Sequence, residues 1–238
     1  MSEKKPVQDL AAACKFLTIW SRFAASPPSP KAIGSAMIYF PFVGLALGLI
    51  LALLNYSLAP YLPSEILSIV LLTVLVLSTG GIHLEDLRAT FDIAPTKIEA
   101  RQNSSLGFVA IVMVLLFKIA ATDSMDERLT VSLLVTPVLA RWAVVLFSYG
   151  YHDRCKEVAR VIAEQVRFWH LLVATAATLA LSIYCLGRKG LWIALSLSLF
   201  ALLARSLLYR LHANLTQHNF GAIIELGEAL SLILLASL

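Results

Sequence analysis

The sequence predicts an all-α, polytopic integral membrane protein, a helical bundle of about seven transmembrane helices with an amphipathic helix near its N-terminus. Of the 238 residues, 59% are hydrophobic and only 14% are charged, whereas soluble chains carry about 25% charged residues. The mean hydropathy is +0.81. The apolar residues also occur in blocks, several of them close to the roughly 20 residues that a helix needs to cross hydrocarbon.

Seven apolar segments are candidate spans. Short polar loops separate most of them, and two longer loops occupy 83–105 and 150–169. No internal repeat or low-complexity linker divides the chain, so we expect a single membrane domain over 1–238. The segments lie near 33–57, 65–82, 106–121, 130–149, 170–186, 190–208 and 220–238.

Residues 7–25 are predicted to form an amphipathic helix on the membrane surface. Lys15 and Arg22 interrupt its apolar positions and no small-residue cleavage site follows, so we do not expect a cleaved signal peptide. The prolines at 27, 28 and 30 end this helix before the first span. Helices of this kind lie in the interfacial plane of a bilayer.

The basic residues are distributed unequally between the two sides of the predicted bundle. Three fall on the side opposite the N-terminus, three fall within spans, and thirteen of the 19 share the side of the N-terminus. Because basic loops stay in the cytoplasm, we expect a multi-pass inner-membrane protein whose N-terminus and loops 83–105, 150–169 and 209–219 are cytoplasmic. The thirteen are Lys4, Lys5, Lys15, Arg22, Lys31, Arg88, Lys97, Arg101, Arg154, Lys156, Arg160, Arg167 and Arg210.

The net charge of +4 and the pI near 9.0 have a membrane explanation. Anionic lipid attracts basic loops on the cytoplasmic side. The basic residues are not interleaved with aromatic residues on a soluble module, so we predict no nucleic-acid binding. The lipid bilayer is the expected partner, and a homo-oligomer is compatible with the sequence.

A cluster of polar residues follows the second apolar segment. Residues 80–92 contain His83, Glu85, Asp86, Arg88 and Asp92. Carboxylates at close helical spacing are typical of a magnesium and pyrophosphate site, because Mg²⁺ prefers hard oxygen ligands. A solvated helix end is the alternative interpretation, with Arg88 and Asp92 as an i,i+4 pair and His83 as a hydrogen-bonded cap.

Two acidic residues lie within the last span. Glu225 and Glu228 are three residues apart and therefore share one helix face. Charges at membrane depth usually face a polar interior. The structural interpretation is an ion pair with Arg205 or Arg141, and the functional one is that Glu225 points into the site built by the loops. We expect Lys118 and Arg141 to be structural.

Three patches of the sequence resemble the cobalamin (5′-phosphate) synthase family, also called adenosylcobinamide-GDP ribazoletransferase. Residues 16–18 and 39–48 read FLT and YFPFVGLALG, similar to the family's N-terminal pattern. Residues 79–87 read TGGIHLEDL, similar to its TGG-hydrophobic-HLDGLADT signature. Residues 215–216 and 220–226 read LT and FGAIIEL, similar to its LTGDTLGAAIEL ending.

The chain departs from the family pattern at several motif positions. In the TGG signature, Glu85 replaces the first aspartate and Asp86 replaces the glycine that follows it. Residues 88–89 replace an alanine and the second aspartate, so one acidic position is lost, although Asp92 remains. Residues 216–218 replace the threonine-glycine-aspartate near the end. Two further stretches, 99–102 and 154–164, replace a lysine-aspartate-serine-arginine run and a glycine-leucine-glycine loop.

The resemblance implies a membrane transferase that joins α-ribazole, or its 5′-phosphate, to adenosylcobinamide-GDP and releases GMP. Magnesium would be held by Glu85, Asp86 and Asp92 and would neutralise charge on the phosphoryl oxygens. Glu225 and His83 are the candidate catalytic residues. Arg88 and Arg101 are the candidate phosphate-binding residues, because a guanidinium binds phosphate bidentately.

Other functions stay open at this point. A divergent enzyme with shifted ligands and a non-catalytic homologue both agree with the substituted motif. A small-solute transporter would use the charges within the spans as a path to the opposite side. A CDP-alcohol phosphotransferase performs similar chemistry, but the chain lacks its DG-xx-AR-x8-G-x3-D-x3-D run.

Overall fold

The computed structural model describes residues 4–24, 26–92, 105–125, 128–150, 155–212 and 214–238. Within these ranges the chain forms twelve α-helices and a short 3-10 turn at Met37–Tyr39. The helices are α1 (Lys4–Leu17), α2 (Trp20–Phe23), α3 (Pro30–Ala36), α4 (Phe40–Leu58), α5 (Ser64–Thr79), α6 (Ile82–Asp92), α7 (Leu106–Asp123), α8 (Leu129–Ser148), α9 (Glu157–Gln165), α10 (Phe168–Leu186), α11 (Arg188–His212) and α12 (His218–Ala236).

The helices confirm the predicted membrane bundle. In the described part of the chain, six helical segments are long and apolar enough to cross a bilayer, and the bent pair α5–α6 gives up to seven. The first of the six is the combined segment Pro30–Leu58, in which the 3-10 turn links α3 to α4. The second predicted span is shorter in the structure, because α5 ends at Thr79 rather than at 82. The sixth is longer, because α11 runs from Arg188 to His212.

Helix α8 lies at the centre of the bundle and is buried along most of its length. Gly44 and Gly48 on α4 face its backbone, where a Cβ atom at either position would collide with Pro137 or Leu134. Glycines therefore allow α4 and α8 to pack with their backbones close together, as small residues do in membrane helix pairs. Helices α10, α11 and α12 also pack against α8.

The N-terminal surface segment is two helices rather than the single helix predicted over 7–25. The chain breaks between α1 and α2, where the hydroxyl of Thr18 donates to the carbonyl of Cys14. On α1 the apolar residues Ala13 and Leu17 are buried and the polar residue Gln8 is exposed, so this helix is amphipathic as predicted. On α2 the apolar side chains of Trp20 and Phe23 are largely exposed.

One end of the bundle, called here the α6 end, carries α2, α6, α9 and residues 214–218. The guanidinium of Arg22 donates to the carbonyl of Gly80 at 3.0 Å, which ties α2 to the start of α6. The amide of Lys156 donates to the carbonyl of Leu215 at 2.8 Å, which ties the segment before α9 to the segment before α12. Helix α9 was not predicted; it lies within the loop 150–169.

Candidate active site

A sharp corner at two glycines positions the acidic motif. Gly80 and Gly81 follow α5 with φ angles of 66° and 70°, a left-handed conformation that glycine adopts without steric strain. The axis of α6 consequently lies at 84° to that of α5. Helix α6 therefore crosses the end of the bundle instead of continuing through it.

Glycines on two neighbouring helices let α6 pack closely. A Cβ atom at Gly221 on α12 would collide with the carboxylate of Asp86. A Cβ atom at Gly107 on α7 would collide with the carbonyl of Arg88 and with the carboxylate of Asp92. The acidic residues of α6 thus lie directly against the first turns of α7 and α12.

Asp86 and His218 form the closest polar contact between α6 and α12. The Oδ1 atom of Asp86 lies 2.7 Å from Nδ1 of His218. The Asp86 side chain is 15% exposed and that of His218 is 42% exposed. Burial raises the pKa of the Asp86 carboxyl to about 6; the hydrogen bond to His218 opposes this rise, and the charges of Glu85 and Glu225 add to it.

A second polar contact lies one turn further along α6. The side-chain amide of Asn219 donates to the hydroxyl of Thr90 at 3.2 Å, and both residues are buried. The Asn219 Oδ1 atom also accepts the amide N–H of Thr216 at 2.7 Å, which closes the turn before α12. The segment before α12 is therefore fixed against α6 at two successive positions.

Arg88 binds two of the three predicted metal ligands. Its guanidinium donates to both carboxylate oxygens of Glu85, at 2.6 and 3.0 Å, and to Oδ2 of Asp92 at 3.3 Å. The hydrogen bond from Arg88 lowers the pKa of Glu85. The other Asp92 oxygen accepts the amide N–H of Gly107 at 2.8 Å and so satisfies a donor in the first turn of α7.

The predicted magnesium ligands do not converge in this arrangement. Glu85 and Asp92 both pair with Arg88, while Asp86 contacts His218 on α12. In the described ranges, no group of three histidine, cysteine or acidic side chains is close enough to hold one ion. The oxygen chemistry is suitable for magnesium, which proteins usually hold through one or two carboxylates together with waters and substrate phosphates.

Beneath α6, four charged side chains form a buried network. The Nζ atom of Lys118 on α7 lies 2.6 Å from both Glu225 and Glu228. Arg141 on α8 pairs with the other oxygen of Glu228. All four side chains are almost completely buried. Two cations and two carboxylates neutralise one another, as membrane-embedded charges require.

Both predicted catalytic residues are buried. Glu225 lies one turn after Gly221, close enough to Asp86 to affect its titration, and its hydrogen bond is to Lys118. His83 is 1% exposed, and neither ring nitrogen has a hydrogen-bond partner among the described residues. Burial, with Arg141 nearby, lowers the pKa of His83 to about 3.

The structure therefore separates the predicted site residues into two layers. Glu85, Arg88 and Asp92 lie on the outer side of α6, and His83 and Glu225 lie beneath it. Asp86 lies between the layers. Arg101, the second predicted phosphate-binding residue, falls outside the described residues.

Sequence reasoning missed the part that His218 and Asn219 take in the site. The signal was present in two departures from the family pattern. Asp86 stands where the family has glycine, and His218 stands where it has aspartate. The chain gains an acid at position 86 and loses one at position 218. Such a paired exchange is expected when two positions lie next to each other in the structure.

Comparisons with known proteins agree with this architecture. The profile of a family described as cobalamin-5-phosphate synthase matches residues 9–236. A protein named adenosylcobinamide-GDP ribazoletransferase from Roseiflexus sp. is 30% identical, over 95% of this chain and 88% of its own length. Proteins of the same name from Geotalea daltonii and Pseudomonas putida are each 29% identical, over 87% and 91% of this chain and 87% and 93% of their own lengths. No solved structure matches the chain significantly.

Proposed function

The chain belongs to the cobalamin-5-phosphate synthase family, and we propose that it joins ribazole or its 5′-phosphate to adenosylcobinamide-GDP with release of GMP. The protein is a multi-pass membrane transferase of cobalamin assembly. The substrates are those in the names of its relatives.

One observation carries the proposal. The two segments that resemble the family's signatures, 79–87 and 215–226, are far apart in the sequence but lie against each other at the α6 end. Asp86 contacts both Gly221 and His218. Packing alone does not require an acid and a histidine at this interface, so the pair supports a polar site there.

The proposed reaction is a displacement at phosphorus. The ribose 3′-hydroxyl oxygen bonds to the phosphorus on the cobinamide side, and the bond from that phosphorus to the oxygen of the departing GMP breaks. The hydroxyl proton is released. Such a displacement depends mainly on positioning and on neutralisation of phosphoryl charge.

Arg88 is the described cation best placed for the phosphates. Its side chain is 47% exposed, and its present partners are the carboxylates of Glu85 and Asp92. A phosphate group would exchange with these carboxylates, since a guanidinium binds both in the same bidentate way. Asp86 and His218 are the partly accessible proton acceptors at this end, whereas Glu225 and His83 are buried.

Magnesium has no assigned step in this proposal. If the enzyme uses magnesium, the ion would supply charge neutralisation at the phosphates. Glu85 and Asp92 would have to leave Arg88, and Asp86 would have to leave His218, for all three to bind it. A requirement for the ion therefore stays a prediction from the resemblance.

We also propose that the protein lies in the inner membrane with its α6 end on the cytoplasmic side. The thirteen-to-three bias of basic residues supports this orientation. Water-soluble nucleotides would then reach the site from the compartment in which they are made. The orientation rests on charge distribution and is independent of the catalytic assignment.

The proposal is tested with the purified protein in detergent. Adenosylcobinamide-GDP, α-ribazole and magnesium are added, and GMP is measured by chromatography. We expect GMP to form in proportion to enzyme, and Asp86→Ala to reduce the rate at least 100-fold. Glu164→Ala, at an exposed acid paired with Arg160 on α9, is the matched control.

Two other functions make different predictions in this assay. A non-catalytic homologue releases no GMP although it folds. A transporter needs a polar path to the opposite side, yet the charges in the described spans that lie beneath α6 are paired with one another. The mutual pairing of these charges favours the enzyme.

A further inference from the structure

A long groove, lined almost entirely by apolar side chains, separates α11 from α12. Its volume is about 790 Å³, within the range of small-molecule binding sites. Leucines spaced four residues apart on α11, from Leu199 to Leu211, form one wall. A similar series on α12, from Ala222 to Leu234, forms the other wall. The α11 series is about 18 Å long, calculated from the rise per residue.

The groove differs at its two ends. Near Leu234 the lining carries no charge, and its one polar side chain, Ser196, donates its hydroxyl to the carbonyl of Trp192. At the α6 end the lining includes Thr90, Phe91 and Arg210. The Thr90 hydroxyl is buried and bonded to Asn219, so the exposed groups at this end are the Phe91 ring and the Arg210 guanidinium.

This end of the groove adjoins the candidate active site. Thr90 accepts the hydrogen bond from Asn219 and lies one turn after Asp86. Ala222 directly follows Gly221, whose backbone lies against the Asp86 carboxylate. Phe91, the exposed aromatic ring at this end, follows Asp86 on α6 by about 8 Å of helix. A molecule held against this ring is therefore close to the Asp86–His218 pair.

Arg210 is the charged residue of this lining. Its side chain is exposed, and it forms no ion pair with any described residue. By contrast, Arg88 and Arg141 both bind carboxylates. Arg210 is thus available to bind an anion at the mouth of the groove.

We propose that the α6 end of this groove binds the ribazole 5′-phosphate and that Arg210 recognises its phosphate. The inference rests on the proposed function. The methylated benzimidazole of ribazole is flat and apolar, so it fits beside the exposed side chains of Phe91 and Leu207, while its phosphate reaches the guanidinium. One end of the ligand requires apolar surface and the other a cation, and the groove presents them in that order.

The inference assigns a specificity to Arg210. A guanidinium at the phosphate favours ribazole 5′-phosphate over free ribazole, which lacks the charged group. The ribose then lies between the base and the phosphate, at the side of the groove that adjoins Asp86. Arg210 is a specificity-determining residue in this proposal and takes no part in proton transfer.

The kinetic test compares both substrates with one variant. Arg210→Gln should raise the KM for ribazole 5′-phosphate by about 10-fold or more and leave the KM for free ribazole within about 2-fold. Arg210→Lys should restore part of the loss. Arg188→Gln, at the opposite end of α11, is the matched control and should change neither value.

A second pair of variants tests the position of the base. Phe91→Ala removes the exposed ring beside the site and should raise the KM for both substrates. Leu199→Ala shortens an exposed side chain at the far end of the groove and should change neither. Equal effects of these two substitutions would overturn the inference. An Arg210→Gln variant with the wild-type ratio of the two KM values would also overturn it.

A lipid in the groove gives a different result. If Arg210 binds a phospholipid headgroup, Arg210→Gln removes a dependence on anionic lipid in nanodiscs and leaves the ratio of the two KM values unchanged. That outcome also overturns the inference.

Calorimetric titration with ribazole 5′-phosphate separates the inference from the proposed function. Binding that weakens in Arg210→Gln, in a protein that releases no GMP, supports the groove and contradicts the proposed reaction. If turnover is normal and Arg210→Gln does not weaken binding, the assignment of the groove is wrong and the proposed reaction still stands.

Discussion

Asp86 and His218 are 132 residues apart in the sequence, yet Oδ1 of the first lies 2.7 Å from Nδ1 of the second. Each occupies a position at which the chain departs from the family pattern. One departure adds an acid and the other removes one, so together they preserve an acidic group at the interface of α6 and α12. The structure thus gives one explanation for two substitutions that lie far apart in the sequence.

The close approach of α6 to α12 predicts a strict requirement for glycine at 221. Gly221→Ala should destabilise the protein and abolish GMP release, because the added Cβ would collide with Asp86. We expect a loss of about 1–3 kcal/mol, as for overpacked cores. Gly227→Ala on the same helix is the control, since its Cβ would lie 3.4 Å from Ala140 in ordinary contact. Thermal unfolding of both variants in detergent distinguishes them, and equal melting temperatures would contradict the packing.

The raised pKa of Asp86 predicts a pH-dependent stability. The folded state favours the protonated carboxyl, with a pKa of about 6 against 3.8 for the ordinary group. The wild type should therefore lose stability relative to Asp86→Asn as pH rises from 4 through 6, by at most about 3 kcal/mol, and the difference should then stay constant. Unfolding of both proteins between pH 4 and 8, with EDTA present, measures it. A difference that does not vary with pH would contradict the shift.

The buried network predicts that the stability of the protein depends on equal numbers of buried cations and carboxylates more than on any one ion pair. Lys118→Met should destabilise the protein by about 3–5 kcal/mol, because it leaves Glu225 without a cation. Adding Glu225→Gln should recover much of the loss, since Glu228 keeps Arg141. Melting temperature and monodispersity on size exclusion report the recovery. A double variant no more stable than Lys118→Met would refute the pairing.

The two glutamates of α12 should respond differently to neutral substitution. Glu228 has two cationic partners and Glu225 has one. Glu228→Gln should mainly lower stability because it leaves Arg141 unpaired, whereas Glu225→Gln should mainly lower turnover because Glu225 lies near Asp86. Parallel measurements of melting temperature and GMP release test this. A larger loss of turnover in Glu228→Gln at equal stability would show that the other glutamate serves the site.

The magnesium requirement has a direct test on the outer side of α6. If Glu85 binds the ion during the reaction, Glu85→Ala should raise the magnesium concentration needed for half-maximal GMP release at least 10-fold. Asp92→Ala should in addition lower stability, because it removes the acceptor for the Gly107 amide. Magnesium titrations that superimpose on the wild type would remove both residues from the list of ligands.

The positions of the spans could be predicted from the sequence, and most helix ends could not. Apolar blocks identify spans because hydrocarbon tolerates few polar side chains. The two glycines at 80 and 81 predict a turn at this point of the chain. Where α6 lies after the turn depends on its packing against α7 and α12, which the local sequence does not show. Helix α9 escaped prediction because its nine residues are only half apolar.

The sequence shows which charged residues lie within the spans, but it does not show which of them pair with one another. Pairing of a glutamate with Arg141 was one of two alternatives, and the structure contains it. Arg205, the other alternative, donates to the carbonyl of Tyr149 instead. Which cation meets which acid depends on the rotation of each helix about its axis, and hydropathy does not contain that information.

The corner formed by Gly80 and Gly81 has a consequence for where the reactants travel. Because α6 lies across the end of the bundle, Glu85 and Arg88 are exposed there instead of being enclosed by the spans. On the proposed function, a charged nucleotide would reach these side chains without entering the hydrocarbon. The turn at Gly80 and Gly81 would thus allow a membrane-embedded protein to bind a water-soluble substrate.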